Sequence, residues 1–198
     1  MTPMRPIRIF LRGIVAALLA AAILAGCSDS GTGERVSFAL PSGGDFVLQS
    51  AAGPLDTRTL RGNVLLLYFG YVNCPDVCPA SMAVGAGALN ALTPAERART
   101  RMIMISVDPE RDTPVKLKEY VAYFHPAMIG VAGTATETAA IARSFGVGYR
   151  RQPTRPDGGY AVDHSSQTFV IGPDGKLAEL LPLGVATDKV VATVRKLL

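Results

Sequence analysis

The sequence predicts an α/β fold in which helices flank a central, mixed β-sheet. Residues 64–69 and 101–107 are two largely apolar runs, and their length and composition are typical of strands buried on both faces. A helical pattern follows each run, and a hairpin pattern and an amphipathic helix close the chain. This order of strand, helix, strand, helix, hairpin and helix indicates a sheet covered by helices.

The first predicted helix spans residues 80–92. Pro79 suits its first position, because the N–H that proline lacks would have no partner inside the helix there. Met82 is interpreted as a core methionine on a helix face rather than as a thioether ligand. Gly85 and Gly87 weaken the helix by about 1 kcal/mol each. Two such residues indicate that a neighbouring element packs closely against this helix.

Three further helices are predicted, at residues 114–124, 134–145 and 187–198. Asp112 or Thr113 can cap the first of them, and we favour a capping role for Asp112. His125 ends the same helix and is interpreted as a helix-end residue rather than a metal ligand. The second begins with a capping-box pattern, and the third buries a valine-rich face.

Shorter strands are predicted around residues 45–48 and 147–151. A hairpin is predicted from two further strands, at residues 167–171 and 176–181, which a Gly-Pro-Asp-Gly turn connects. Residues 55–60 are interpreted as an edge strand or a connector. A loop rich in proline and glycine at residues 152–159 follows the strand at 147–151. Three arginines lie around this loop: Arg150, Arg151 and Arg155. The simplest interpretation is a solvated hairpin, and docking of these arginines onto an acidic partner is the alternative.

The composition favours one exported domain behind a leader. We predict a leader at residues 1–27, a polar, glycine-rich tether at 28–36 and one domain at 37–198, which is long enough for a core of its own. Three of the 20 basic residues lie in the leader, so 17 basic residues face 16 acidic ones in the rest of the chain. That balance gives no support to nucleic-acid binding.

The leader has the features of a bacterial lipoprotein signal. Its basic residues precede an apolar stretch of 14 residues, 13–26, which is short for a membrane span and typical of a signal sequence. The stretch ends in Leu-Ala-Gly followed by Cys27, which is similar to a lipobox, so we predict lipidation of Cys27. An uncleaved membrane anchor that starts near Ile7 is the alternative. Both interpretations hold the domain outside the cytoplasm at a membrane.

Two cysteines lie where the central apolar run ends. Cys74 and Cys78 occupy a short loop between the predicted strand and the first helix, and a proline follows each of them. We expect Cys78 to lie in a turn before the helix, because a residue that precedes proline avoids the α region. A thiol near a helix N-terminus is stabilised as a thiolate, so we expect a lowered thiol pKa. Such a pair can close a disulfide or bind one soft metal ion.

Three motifs resemble the Sco/SenC family of thioredoxin-like copper proteins. They are Tyr-Phe-Gly-Tyr with Cys-Pro-Asp-Val-Cys-Pro at 68–79, Val-Asp-Pro-Glu-Arg-Asp-Thr-Pro at 107–114 and Val-Asp-His-Ser-Ser at 162–166. The resemblance covers the chain from about Gly53 to its end. It implies a thioredoxin-like fold with a β-hairpin insertion, and copper binding by Cys74, Cys78 and His164. A Cys74–Cys78 disulfide is expected when this pair is oxidised.

Two aspartates are candidates for supporting this site from behind the ligands. Asp108 ends the strand at residues 101–107, at the edge of the sheet where chemistry collects in α/β folds. Turn formation is an equal interpretation of this residue. Asp163 precedes His164, and either Asp163 or Ser165 can be the hydrogen-bonding partner of that imidazole.

Two thiolates and one imidazole form a soft set of three ligands, which favours Cu(I) and tolerates Cu(II). Zinc is the main rival, but a structural zinc site requires four protein ligands. The resemblance implies a chaperone that delivers copper to the cytochrome c oxidase subunit with the dinuclear copper centre. A periplasmic thiol reductant and another copper chaperone as donor are further expected partners. The alternatives are a thiol–disulfide oxidoreductase that reduces the subunit's cysteines and, less favoured, a peroxidase-like or redox-sensing protein.

Overall fold

The computed structural model describes residues 42–198. The predicted leader, Cys27 and the tether lie outside these residues, as does the predicted start of the domain at residue 37. Within the described residues, no helix is both long enough and apolar enough to cross a membrane.

Most of the described strands belong to a single large sheet. The strands are β1 (Val47–Ser50), β2 (Gly53–Asp56), β3 (Val64–Gly70), β4 (Thr100–Ser106), β5 (Met128–Ala132), β6 (Tyr149–Arg151), β7 (Val162–His164), β8 (Thr168–Ile171) and β9 (Leu177–Leu181). Seven of them form a sheet in the order β2-β1-β5-β4-β3-β8-β9, and β6 and β7 form a separate two-stranded ribbon. The strands β3, β4 and β5 run parallel, while β1, β2, β8 and β9 pair antiparallel. The predicted mixed sheet is therefore confirmed.

Five α-helices are described, and they cover the sheet. They are α1 (Val77–Ala91), α2 (Pro94–Ala98), α3 (Pro114–Phe124), α4 (Ala135–Ser144) and α5 (Thr187–Leu197), and a short 3₁₀ helix spans Thr57–Leu60. The capping box predicted at Thr134 is present, because Thr134 and Glu137 exchange side-chain-to-backbone hydrogen bonds. We refer below to the seven-stranded sheet and its helices as the body, and to β6, β7 and the loop between them as the hairpin.

The central strand β3 anchors the fold, since all seven of its residues are buried. Successive side chains of a strand point to opposite faces of the sheet. On one face Phe69 packs against Phe145 and Phe169, with ring centroids 5.6 Å away in both cases. On the other face Tyr68 and Gly70 lie beside the cysteine loop, and a β-carbon on Gly70 would lie 2.9 Å from the sulfur of Cys78. The strand β3 therefore runs through the core and ends directly beside the thiols.

The helix α1 packs as closely against the sheet as its glycines predicted. A β-carbon on Gly85 would lie 2.0 Å from the sulfur of Met102, and one on Gly87 would lie 3.2 Å from Thr187 at the start of α5. Met82 is a buried core residue, as predicted, and Met102 on β4 is buried as well. This close packing fixes the position of the N-terminal end of α1, which carries Cys78.

Two predictions about helix starts were wrong. The helix α1 begins at Val77, so Cys78 is its second residue and Pro79 its third. Proline is tolerated there because the first four N–H groups of a helix lack acceptors within the helix. The cap of α3 is Thr113, whose hydroxyl accepts from the N–H of Lys116. Asp112 does not cap α3, because its side chain is buried and points into the body.

The hairpin predicted around the loop at residues 152–159 is present and stands apart from the large sheet. Its strands pair antiparallel, with Tyr149 opposite His164. The three arginines around its loop each form an ion pair within the chain: Arg150 with Asp163, Arg151 with Glu110 and Arg155 with Asp157. They are at least 48% exposed, which fits a solvated hairpin, while docking onto an acidic partner stays a prediction.

Candidate metal centre

The structure brings together the three side chains that the sequence nominated as ligands. The sulfurs of Cys74 and Cys78 and a ring nitrogen of His164 all lie within 4.8 Å of one another. The sulfur of Cys78 is 3.3 Å from Nε2 of His164. Both cysteines are free thiols in the structure, so the Cys74–Cys78 disulfide stays a prediction.

The two sulfurs are positioned by the end of β3 and the start of α1. The chain turns sharply after the strand, and the N–H of Cys74 donates to the carbonyl of Tyr71 at 3.3 Å. The N–H of Cys78, in the first turn of α1, lies 3.4 Å from the sulfur of Cys74 and donates to it. This hydrogen bond holds the sulfur of Cys74 beside the start of α1, close to the sulfur of Cys78.

His164 is the last residue of β7, and a neighbouring carbonyl fixes its ring. Its Nδ1 lies 2.9 Å from the carbonyl oxygen of Ser165, so Nδ1 carries the proton and donates it. The other nitrogen, Nε2, then directs its lone pair at the thiol of Cys78, 3.3 Å away. Of the two candidate partners, the structure selects Ser165, through its backbone rather than its hydroxyl. A metal-binding histidine is commonly oriented in this way.

Asp163 takes a different position from the one predicted beside the imidazole. Its side chain is 61% exposed, 3.5 Å from Arg150 on the opposite strand and hydrogen-bonded to Gln152, the residue that follows that strand. The reason is the alternation of a β-strand, which sends neighbouring side chains to opposite faces. Asp163 therefore braces the outer face of the hairpin, while His164 faces the thiols.

Two tyrosines that the sequence analysis did not nominate surround the imidazole. The rings of Tyr68 and Tyr71 lie 6.1 Å and 5.8 Å from the His164 ring, and both are almost perpendicular to it. Perpendicular contacts of this kind are a favoured geometry for aromatic rings. The sequence did contain a signal for these two residues, because Tyr68 and Tyr71 bring hydroxyl groups to the end of an otherwise apolar run.

Burial dominates the electrostatics of the Cys78 thiol. Cys78 is completely buried, and this burial raises the pKa of its thiol, with a further rise from the hydrogen bond to Cys74. The predicted lowering of the pKa was therefore wrong for Cys78, because loss of hydration outweighs the dipole of α1 at this position. Metal binding at such a site must displace a proton from Cys78.

Asp108 and Asp112 lie buried where β4 ends, but neither hydrogen-bonds to a ligand side chain. Asp108 forms an ion pair with Arg111 at 2.5 Å and accepts from the hydroxyl of Tyr160 at 2.8 Å. Asp112 accepts from the hydroxyl of Ser106 at 2.7 Å, and from the N–H of Val72 in the cysteine loop at 3.2 Å. Both aspartates therefore connect the body to the segments that carry the ligands.

The donor set fits copper better than other common metals. Two sulfurs and one imidazole nitrogen are soft donors, and a set of three is suited to Cu(I). The group contains three donors where a structural zinc site requires four. Once Cys78 loses its proton, the lone pair of Nε2 can supply the third donor without rearrangement of the ring, whose orientation the carbonyl of Ser165 fixes.

Comparison with known proteins places the chain in a family. Residues 35–198 match the family model described as SCO1/SenC. The chain belongs to this family. A SCO2-like protein from Rickettsia felis is 38% identical over 136 residues, which cover 68% of this chain and 66% of the relative. The match thus spans slightly less than two thirds of that relative's length.

Solved Sco structures share the fold of this protein. Apo Sco1 from Thermus thermophilus superposes with a TM-score of 0.73 at 38% identity, covering 80% of this chain and 92% of that one. ScoI from Bradyrhizobium japonicum, solved with copper bound, gives a TM-score of 0.72 at 33% identity and covers 79% and 99%. The thioredoxin-like fold predicted from the sequence is confirmed by these matches.

Proposed function

We propose that this protein is a membrane-anchored copper-binding chaperone that assists assembly of the copper centre of cytochrome c oxidase. The observation that carries the proposal is the meeting of two cysteine sulfurs and Nε2 of His164 within 4.8 Å. Membership of a family that includes a protein solved with copper bound supports the choice of metal. The oxidase as recipient follows from what the family resemblance implies.

In this proposal each ligand has a defined task. Cys74 and Cys78 hold the cargo ion as thiolates, and they are sufficient for Cu(I), which accepts low coordination numbers. His164 adds a neutral nitrogen donor, which Cu(II) requires because two thiolates alone hold it poorly. The carbonyl of Ser165 keeps the proton of the imidazole on Nδ1, so that Nε2 is available to the ion.

The oxidation state of the thiols controls loading. If the two thiols lose two electrons and two protons to an oxidant, a Cys74–Cys78 disulfide forms and both sulfur ligands are lost. The exported domain that we propose resides in an oxidising compartment. A thiol reductant on the periplasmic side must therefore return two electrons and two protons before copper is accepted. The remaining partners are a copper chaperone as donor and the oxidase subunit with the dinuclear centre as recipient.

A second candidate function is thiol–disulfide exchange with the cysteines of that oxidase subunit. The close approach of two reduced thiols favours it, since such a pair can attack and resolve a mixed disulfide. The burial of both thiols disfavours it, because Cys78 is 0% exposed and Cys74 only 9% exposed. Exchange also gives no task to the imidazole that faces Cys78.

Replacement of His164 separates the two functions. We expect His164→Ala to abolish stable Cu(II) binding and the thiolate-to-copper charge-transfer absorption, while some Cu(I) binding by the thiols survives. The variant should keep most of its disulfide exchange with a small dithiol. Copper stoichiometry of the reduced domain, absorption spectra and oxidase assembly in cells at low copper are the measurements.

The matched control is His125→Ala, which removes the other histidine of the chain. His125 caps the end of α3, where its Nδ1 accepts the N–H of Ala127, so its loss should leave copper binding unchanged. Oxidase assembly should fail in His164→Ala cells and proceed in His125→Ala cells. Normal assembly with His164→Ala, together with failure in Cys74→Ser, would show that thiol exchange is the function.

The proposed location is the periplasmic side of a bacterial membrane, with lipid attached to Cys27. The basic leader, the apolar stretch at residues 13–26 and the lipobox-like end support this location. Mass spectrometry of the membrane-extracted protein should find an acylated cysteine at its N-terminus. A mature chain that still begins at Met1 would favour an uncleaved anchor instead.

A further inference from the structure

The third ligand lies on an element that the large sheet does not hold. The strands β6 and β7 pair only with each other in the described structure, so no β-ladder joins His164 to the strand that leads to the thiols. Three residues separate His164 from β8, so only a short connecting segment joins this end of the hairpin to the large sheet. The distance from Nε2 to the sulfurs therefore depends on side-chain contacts between the hairpin and the body.

One arginine of the body makes several of these contacts. Arg111 follows β4, and its Nη1 donates to the backbone carbonyl of Tyr160 in the hairpin at 2.9 Å. Its guanidinium carbon lies over the ring of Tyr160, 3.5 Å from the ring centroid. Its Nε donates to Asp108, which is 3% exposed and fixes the orientation of the guanidinium group. Arg111 thus binds both the backbone and the ring of one hairpin residue.

Tyr160 is held from more than one side. Its hydroxyl donates to Asp108 at 2.8 Å, so the same buried carboxylate binds both Arg111 and Tyr160. The guanidinium carbon of Arg151 also lies over the Tyr160 ring, at 4.0 Å, and Arg151 pairs with Glu110 at 3.1 Å. An arginine over an aromatic face and a charge-assisted hydrogen bond are both strong when shielded from water.

The contacts continue from Tyr160 to the imidazole. Two residues after Tyr160, the N–H of Val162 donates to the hydroxyl of Tyr71 at 3.2 Å. The ring of Tyr71 lies 5.8 Å from the ring of His164, and the guanidinium carbon of Arg111 lies 5.7 Å from the Tyr71 centroid. The position of the hairpin at Tyr160 and Val162 therefore determines where His164 stands relative to the sulfurs.

We propose that Arg111 is a positioning residue for the metal centre and that it acts through His164. Together with Asp108, Tyr160 and Tyr71 it forms a clasp that fastens the hairpin to the body. The clasp holds Nε2 where it completes the set of ligands begun by the two thiols. This inference rests on the proposed function, and it adds a group that binds no metal itself.

A double-mutant cycle on the full domain tests this role. Arg111→Lys keeps a positive charge beside Asp108 but loses the planar fork that stacks on the ring and donates to the carbonyl. We expect it to lower the affinity for Cu(II) about 10–100-fold, the range seen when supporting contacts of metal ligands are removed. We also expect it to shift the thiolate-to-copper absorption.

The decisive comparison uses Cu(I), which both backgrounds bind. Arg111→Lys should weaken Cu(I) binding when His164 is present and have no effect in the His164→Ala background, because the clasp then has no ligand to position. An equal loss in both backgrounds would overturn the proposal, as would an unchanged Cu(II) affinity and spectrum. If the lysine variant does not fold, Tyr160→Phe serves in the same cycle with the same expectations.

The control variant is Arg155→Lys, at the far end of the same hairpin. Arg155 pairs with exposed Asp157 and has no contact with the clasp, so copper binding should not change. Failure of the proposed function gives a different result, since the His164→Ala variant would then bind copper as tightly as the wild-type protein does. That result would overturn the inference about Arg111 as well, because the clasp would then have no effect of His164 on copper to act through.

Discussion

The two sides of the metal centre differ in how they are built. The thiols follow β3, whose residues are all buried, and Cys78 belongs to α1, which packs tightly on the sheet. The imidazole belongs to a ribbon of three-residue strands whose residues are mostly exposed or half-buried. The distance between the two sulfurs is therefore a property of the core, whereas the distance from sulfur to nitrogen is a property of a clasped attachment.

This difference matters for a protein that must release its cargo. A site built entirely into the core would exchange metal slowly, because every ligand would be held by the full stability of the fold. A ligand on an attached hairpin can leave by a local opening, whose free energy is smaller than that of global unfolding. In the proposed function the thiols retain the ion and His164 determines how firmly it is held.

Hydrogen exchange should reveal the largest difference between the two regions. We expect the amide of Leu67 in β3 to exchange only on global unfolding, at about 5–15 kcal/mol. The amide of Gln152, which donates to Ala161 across the hairpin at 2.9 Å, should exchange by local opening at a free energy several kcal/mol lower. Mass spectrometry or NMR of the reduced, metal-free domain measures both. Equal protection would mean that the hairpin and the body unfold as one unit.

A pair of glycine substitutions sharpens the comparison at the site itself. A β-carbon at Gly70 would lie 2.8 Å from Cε1 of Tyr68 and 2.9 Å from the sulfur of Cys78, so Gly70→Ala must displace one of them. We expect a loss of roughly 1–3 kcal/mol in the free energy of unfolding. Copper affinity should fall for both oxidation states, because a sulfur ligand is moved.

Gly148→Ala is the matched substitution in the hairpin region. The nearest atom to its new β-carbon would be Oγ of Ser165 at 4.0 Å, which is an ordinary contact. Stability and copper binding should therefore stay close to those of the wild-type protein in denaturant titrations and metal titrations. A strong copper defect in Gly148→Ala, or none in Gly70→Ala, would contradict the division into a crowded thiol side and an open hairpin side.

The sequence predicted the body well because its signals are local. The apolar run at β3, the capping box at Thr134 and the glycines of α1 each reflect a requirement that acts within a few residues. The start of α1 was misplaced because Pro79 was assigned to the first helical position. The helix begins two residues earlier, since proline is tolerated throughout the first turn.

The ligands were predicted from motifs, but of the residues around them only Asp108 and Asp163 were named, and the contacts that these two make were not foreseen. Asp112 looked like a helix cap by its position before Thr113, and only the fold shows it buried under the cysteine loop. Arg111 and Tyr160 are 49 residues apart, so no local pattern links them. The pKa of Cys78 was misjudged for a related reason, because helix position can be inferred from sequence whereas the degree of burial cannot.

The smallest effect concerns Asp112, which ties the cysteine loop to the body. Burial raises the pKa of this carboxyl above its ordinary value, and the nearby charge of Asp108 raises it further, against the hydrogen bonds from Ser106 and Val72. A carboxyl whose pKa is higher in the folded protein binds its proton more tightly there. Its contribution to stability therefore falls as the pH rises from its unfolded pKa through its folded pKa.

Asp112→Asn removes this dependence and keeps an oxygen that can accept from Ser106 and Val72. We expect the stability of the variant relative to wild type to increase as the pH rises through that window.

Asp174→Asn is the control with the opposite sign, because the hydrogen bond from the N–H of Lys176 lowers the pKa of Asp174. The stability that Asp174 contributes is present above its unfolded pKa and is lost as the pH falls through its folded pKa. Denaturant titrations between acidic and neutral pH should therefore give opposite slopes for the two variants relative to wild type. The slope for Asp174→Asn should be the shallower, since that carboxyl is 60% exposed and screened by water. Two slopes of the same sign would contradict the raised pKa that burial gives to Asp112 in the folded protein.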